Sequence, residues 1–314
     1  MRAEYRVLSY RDAQREPAAG ILIEDRVHPA SSLITGIDTS SVIGLLEAWD
    51  DARAQLGAVI PNIDSSAGVP LSSIELLAPI LYPRAIYSVW GNYVDHNAEM
   101  AALSGRAQPV VDPAAEPFFV QKTSAHSVIG TGAAIRMPSF TAQLDYEAEL
   151  GVVIGRRTRD IRAADAQSAV AGYVILNDLS ARDMMKRKDA RTSHLMDWFG
   201  MKSFEDSAPM GPWLTPAEFV RNPAALSIKL WVNGAIKQNG STSAMVYSIA
   251  DQVAALSRRL TLLPGDVIAT GCPAGVGVAR GEFLQAGDTI RIEIEGCGEL
   301  VNRISSVGTR VPSR

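Results

Sequence analysis

The chain has 314 residues, 47% hydrophobic and 20% charged, which is ample apolar material for a packed core and excludes disorder as its overall state. Its 30 Lys and Arg against 34 Asp and Glu give a formal charge of −4, which excludes the basic surface a general nucleic-acid binder needs. A small anionic ligand stays compatible only where positive charge is concentrated locally.

The first residues are charged and show no apolar leader core, so the expected compartment is the cytoplasm. No stretch approaches the roughly 18 apolar residues of a membrane span. Residues 1–80 read as a small α/β domain: YRVLSY and GILIED alternate like short strands, and SVIGLLEAWDDARAQL has apolar residues at helical spacing behind a Ser start. Pro79 and Pro83 then block a continuous helix, and a second domain is expected over 81–314.

Between about 92 and 117 strand character is lost. NYVDHNAEMAALSGR can form one or two helical turns, and AQPVVDPAAEP carries three prolines in eleven residues, the mark of a loop or lid. The remainder is mostly β in pattern, with DYEAELGVVIG, AGYVILND, LSIKLWVNG, GDVIATG and GDTIRIEIEGCGEL as strands, and RAADAQSAV and SIADQVAALSRRL as helical interruptions. Long crossover helices are scarce, so the expected class is α+β, predominantly β, closer to a β-roll or β-sandwich than to a doubly wound sheet.

On one strand, residues two apart share a face, so Asp145, Glu147 and Glu149 would point the same way. Such a row is either a solvated strand face or a site that needs a cation, because each carboxylate raises its neighbour's pKa. Asp178 follows the apolar run GYVILN, and two glutamates with one aspartate make a hard oxygen site suited to Mg²⁺ or Mn²⁺, with Ca²⁺ also compatible. Zinc spacing such as HExxH or CxxC is absent, as are a GxSxG elbow and a Walker A loop. GVGVARG follows no βαβ unit, which makes it a poor dinucleotide fingerprint.

Six motifs in order, WGNYVDHNAE (90–99), DYEAELGVVIG (145–155), GYVILNDLSARD (172–183), KSFEDSAPMGPW (202–213), VNG (232–234) and LLPGDVIATGCPAGVG (262–277), resemble the fumarylacetoacetate hydrolase family over residues 80–304. The first 80 residues resemble the short N-terminal unit of longer bacterial members. The resemblance implies a mixed β-roll fold, a homodimer, and a divalent metal held by Glu147, Glu149 and Asp178. Parity alone does not separate Asp145 from these; only the resemblance gives it a hydrogen-bonding or turn role.

His96 and Glu99 are three apart, which a helical turn brings together, and a carboxylate can make an imidazole a base able to activate water. By themselves they also fit an ordinary surface pair; the family places such a pair on a lid over the substrate. Three carboxylates meeting one divalent cation leave a charge of about −1, so an ammonium is required nearby, and the family places Lys202 beside metal and substrate. Lys122 and Arg182 are candidates for substrate carboxylate binding or for ion pairing. Thr270 and Gly271 end a strand where the backbone can approach a ligand. The family commonly has Thr-Gly-Thr-Pro here, so Cys272 is a departure, read as packing and alternatively as a nucleophile. Trp90, Met201 and Glu205 also depart from the family pattern.

The resemblance implies a metal-dependent hydrolase that cleaves a C–C bond in a small anionic 2-oxo acid, an acylpyruvate such as fumarylpyruvate or maleylpyruvate from aromatic catabolism. The alternatives are isomerisation of a 2-hydroxy-dienoate, decarboxylation of a 2-oxo diacid such as oxaloacetate, and a non-catalytic metal-binding module.

Overall fold

The computed structural model describes residues 4–64, 67–108, 115–187, 189, 191–192 and 194–306. The expected lid over about 92–117 falls partly outside these, at 109–114, as does the chain end of the 81–314 unit.

Alternating apolar residues make strands Arg6–Arg11 and Pro17–Ile23, and the latter carries Gly20 where a Cβ would lie 2.8 Å from Val27. Ser41 accepts the N–H of Gly44 at 3.1 Å and starts helix Val42–Glu47; helix Trp49–Val59 follows after Ala48 leaves helical geometry. Strand Arg6–Arg11 pairs antiparallel with Ala208–Pro216, Val7 opposite Leu214, so the first strands extend the same sheet as the rest of the chain. Sheet and core therefore both run across residue 80.

Among the described residues that sheet has twelve strands. From its middle to one edge run Ala208–Pro216, Val170–Asn177, Ala148–Ile154, Val267–Ala269, Ile86–Val89 and Phe119–Lys122 in spatial order. A five-stranded sheet, Ala235–Ser241, Ser227–Val232, Thr289–Ile294, Gly298–Ser305 and Ala134–Arg136, packs against one face. Among the described residues the strands outweigh the helices, the predominantly β α+β fold that the pattern predicts.

Strand Ala148–Ile154 is buried along its whole length. Leu150, Val152 and Ile154 enter a core shared with Ile228, Leu230, Ile290 and Ile292, whereas Val153 enters a second core with Leu45, Trp49, Leu56 and Val174. Each such side chain stabilises the fold by about 1.5–3 kcal/mol. A strand covered on both faces holds the carboxylates at its start in fixed positions. Helix Ile249–Arg259, closed by a Ser248–Asp251 capping box, covers the first core through Val253 and Leu256. The segment expected to make one or two turns forms helix Val94–Leu103. Among the described residues, no helix is long and apolar enough to cross a membrane.

Candidate functional site

Glu147 and Glu149 stand at the entry of strand Ala148–Ile154, and Asp178 follows the end of its partner Val170–Asn177. The two strands pair antiparallel, Ala148 opposite Asn177, so the entry of one meets the exit of the other. The Asp178 N–H donates to Glu147 O at 2.9 Å and locks the corner. One carboxylate oxygen from each of Glu147, Glu149 and Asp178 lies within 4.8 Å of the others, and all three residues are buried.

Asp145 does not share this face. The strand breaks between Asp145 and Ala148, and Asp145 pairs instead with Ser180 in a separate two-stranded ladder. Its oxygens accept the N–H groups of Gly277 and Val278 at 2.6 and 3.0 Å and the Arg182 Nε at 2.8 Å. The single-strand parity expected for 145, 147 and 149 is thus corrected by a two-residue break.

Three cations answer the acids. Lys202, on helix Trp198–Lys202, places Nζ 2.7 Å from Glu147 Oε2 and 2.8 Å from Asp178 Oδ2. Two of its three ammonium N–H groups are so engaged. Lys122, on strand Phe119–Lys122, donates to the carbonyls of Leu179 and Lys202 and lies 2.8 Å from Asp178 Oδ1. Three protein oxygens thus surround a fully buried ammonium, and of the two alternatives for Lys122 its contacts are those of the ion pair, with Asp178. Arg182 bridges Asp145 and Glu147, at 2.8 and 2.5 Å, so the ion-pairing alternative describes the contacts it makes.

The electrostatics follow these contacts. Burial pushes the Asp178 carboxyl up, but Lys122 and Lys202 outweigh it and bring its pKa to about 2. Glu147 is likewise raised by burial and brought below its ordinary value by Lys202 and Arg182. Lys202 is lowered by burial and raised overall by Asp178 and Glu147. Glu149 differs: burial, Asp178 and Glu147 drive it well above the usual carboxylate range, against the weaker opposing pull of Lys202 and the Gly271 N–H, 2.8 Å from Oε2.

These residues fit a divalent metal. The donors are hard carboxylate oxygens. Asp178 Oδ1 is buried, with the Lys122 ammonium 2.8 Å away as its ion-pair partner. Four carboxylates, Asp145 included, against three cations leave one net negative charge, which a divalent cation converts to one net positive charge suited to an acid anion.

His96 and Glu99 occupy helix Val94–Leu103, with Nδ1 3.6 Å from Glu99 Oε2, an ion-pair separation longer than a hydrogen bond. His96 Nδ1 is buried without a hydrogen-bond partner, and the helix is tied through the Ala274 and Gly275 amides to the loop whose Gly271 N–H reaches Glu149 of the triad. Burial raises Glu99, but His96 and the N–H of Gly275, at 2.9 and 3.0 Å from its two oxygens, hold it below its ordinary value.

Thr270 donates its hydroxyl to Leu150 O at 2.8 Å, and its own carbonyl accepts Asn92 Nδ2 at 2.8 Å, so its hydroxyl is a backbone brace. Gly271 has φ +90, and a Cβ there would lie 2.9 Å from Asn92 Cβ, which is why glycine alone fits beside Glu149. Burial, Glu147 and Glu149 push the Cys272 thiol well above its ordinary value, and the residue is buried. The contributions that sequence reasoning missed are the Asn92 brace, Ser180, 3.4 Å from Glu147 Oε1, and the row of amides from Gly271 to Val278. The glycine run 271–277 was the available signal, because glycines mark close backbone approach to any anion, carboxylates included.

Residues 85–305 match the family described as Fumarylacetoacetate (FAA) hydrolase C-terminal. The chain is 36% identical over 255 residues, 81% of its length and 74% of the relative's, to the human "Oxaloacetate tautomerase FAHD2B, mitochondrial". A fumarylacetoacetate hydrolase from Exiguobacterium antarcticum superposes with a TM-score of 0.78 at 30% identity, covering 96% of this chain and 99% of that one. The maleylpyruvate hydrolase from Sphingobium sp. SYK-6, solved with manganese(II) and pyruvate, gives 0.73 at 27% identity over 96% and 100% of the two chains. The 2-hydroxyhepta-2,4-diene-1,7-dioate isomerase from Mycobacterium marinum gives 0.71 at 28% over 97% and 100%.

Proposed function

Because the chain belongs to the fumarylacetoacetate hydrolase family, we propose that it is a metal-dependent hydrolase of a 2,4-dioxo acid, an acylpyruvate, releasing pyruvate and a carboxylic acid. The observation that carries this reading is the His96–Glu99 pair on a helix bound to the loop that also donates the Gly271 N–H to Glu149 of the triad of Glu147, Glu149 and Asp178. A water-activating base beside a site for an acid anion is what hydrolysis needs and what a decarboxylase must avoid.

A divalent cation, Mg²⁺ or Mn²⁺, held by Glu147, Glu149 and Asp178 supplies Lewis-acid polarisation of the substrate's 2-oxo group. His96, oriented by Glu99, takes a proton from water as the oxygen adds to the 4-carbonyl. The C3–C4 bond then breaks, and its electron pair passes to the enolate of the pyruvate half. Lys202 stabilises the developing oxyanion with the N–H left over from Glu147 and Asp178. The proton returns from His96 to C3, giving pyruvate; the acyl half leaves as a carboxylate. Arg182 and Lys122 keep Glu147 and Asp178 ionised and oriented. Thr270 and Gly271 hold the strand end that orients Glu149.

A second reading, keto–enol tautomerisation of oxaloacetate, is favoured by the 36%-identical human relative of that name. It uses the same enolate and the same proton carrier without cleaving a bond. Protein loaded with Mn²⁺ is mixed with fumarylpyruvate, maleylpyruvate, oxaloacetate and a hydroxyheptadienedioate while the enol absorbance is followed, and pyruvate is assayed separately. Stoichiometric pyruvate from an acylpyruvate supports the hydrolase; enol decay of oxaloacetate alone, with no pyruvate from any acylpyruvate, replaces it with the tautomerase.

A further inference from the structure

Helix Val94–Leu103 carries a second acid beside Glu99, Asp95, to which the chemistry above gives no task. Asp95 Oδ2 accepts the N–H of Ala274 at 3.2 Å, and Oδ1 accepts the N–H of His96 at 2.9 Å. One turn further, Glu99 receives the next amide, that of Gly275. The same stretch sends Gly271 N–H to Glu149 and the Gly277 and Val278 N–H groups to Asp145. One loop therefore reads four carboxylates, two on the helix and two in the floor of the site, and fixes their relative positions. Its path is not adjustable at Gly275, where φ is +108 and a Cβ would lie 2.0 Å from Lys237 O. Asn97 Nδ2 donates to Gly91 O at 2.7 Å and ties the helix to the strand before it as well.

We propose that Asp95 is a positioning residue that latches the His96 helix to the Ala274 amide of the loop that also holds Glu149, so that the imidazole is fixed relative to the carboxylate triad before substrate arrives. The inference rests on the reading of His96 as the base. Two explanations compete for Asp95. A latch needs an acceptor oxygen opposite Ala274, whereas a charge in the first turn merely complements the helix dipole. Asparagine keeps the oxygen and discards the charge, so it separates them.

The test compares Asp95→Ala, Asp95→Asn and His96→Ala in the full chain, reading kcat and KM, Mn²⁺ affinity by titration calorimetry, and hydrogen exchange of amides 97–103. The expected result for Asp95→Ala is a kcat about 100-fold lower, because a displacement of about 1 Å in a catalytic group costs that much, with KM moving less than about threefold. Exchange in the helix accelerates about tenfold while Mn²⁺ affinity stays at the wild-type value, since Asp95 touches none of the three acids of the triad. Asp95→Asn restores kcat to within about threefold of wild type. A wild-type kcat in Asp95→Ala, or an Asp95→Asn as impaired as Asp95→Ala, overturns the latch. His96→Ala loses turnover with unchanged helix exchange; full activity there removes the base reading, while exchange in the Asp95 variants still decides whether the helix is latched.

Discussion

Replacing Lys202 by Met removes one positive charge from between two buried carboxylates, 2.7 and 2.8 Å away. At an effective dielectric of about 20 each contact amounts to roughly 6 kcal/mol before desolvation. Burying the ammonium offsets most of this, and breaking such a pair leaves a net loss of about 3–5 kcal/mol. For a chain of this length that is a fall in Tm of about 5–8 °C in the metal-free protein. A divalent cation restores the missing positive charge, so the deficit should shrink by more than half with Mn²⁺ present. The site's net charge becomes one unit more negative, and Mn²⁺ should bind at least about tenfold more tightly, a change of about 1.4 kcal/mol. Turnover should nonetheless fall by about 10²–10³, because the oxyanion donor is gone. Thermal melts with chelator and with Mn²⁺, beside calorimetric titration, measure all three quantities. Weaker Mn²⁺ binding, or an equal Tm deficit with and without metal, would refute the charge argument.

Glu149 makes the metal-free fold sensitive to pH. Its folded pKa is raised above the ordinary 4.5 by burial and by Asp178 and Glu147, so its contribution is present in acid and is lost as pH climbs from 4.5 through the raised value. Asp178 acts oppositely, stabilising above its ordinary 3.8 and losing that contribution as pH falls toward about 2. Melts in chelator across pH should show the Glu149 loss in wild type and a flat response over that window in Glu149→Gln, which should also lose the Mn²⁺-induced stabilisation. Cys272→Ala should cost roughly 1 kcal/mol of packing yet keep kcat within about twofold, and alkylating reagents should leave the native enzyme active; inactivation at this thiol would restore the nucleophile reading. Gly277→Ala forces a Cβ to within 2.2 Å of Glu282 O and 2.6 Å of Asp145 Oδ1, and should destabilise by about 1–3 kcal/mol with weakened metal binding through Asp145 and Arg182; an unchanged Tm and Mn²⁺ affinity would count against that loop's role.

Periodicity and turn chemistry are local, so strands such as Ala148–Ile154 and Val170–Asn177 and helix Ile249–Arg259 were legible from residue order alone. The acids that make the triad were legible too, as two glutamates at the start of one apolar strand and an aspartate after another. What residue order does not carry is pairing over distance. Arg182 and Lys122 offered the same chemistry toward a substrate or toward an acid, and only folding placed them against Asp145, Glu147 and Asp178. The parity of Asp145 with Glu147 failed because a backbone break at 146–147 is set by Arg182 and by amides more than 130 residues away, at 277 and 278. Nor does residue order carry the pairing of Val7 with Leu214 in one sheet, since a strand edge binds whichever complementary edge the fold presents. Sequence determined which charges exist and where strands begin; the tertiary structure decided which charges cancel and which remain for a metal and an acid, because a buried charge takes its energy from the groups within a few ångströms, and those are contributed by distant parts of the chain.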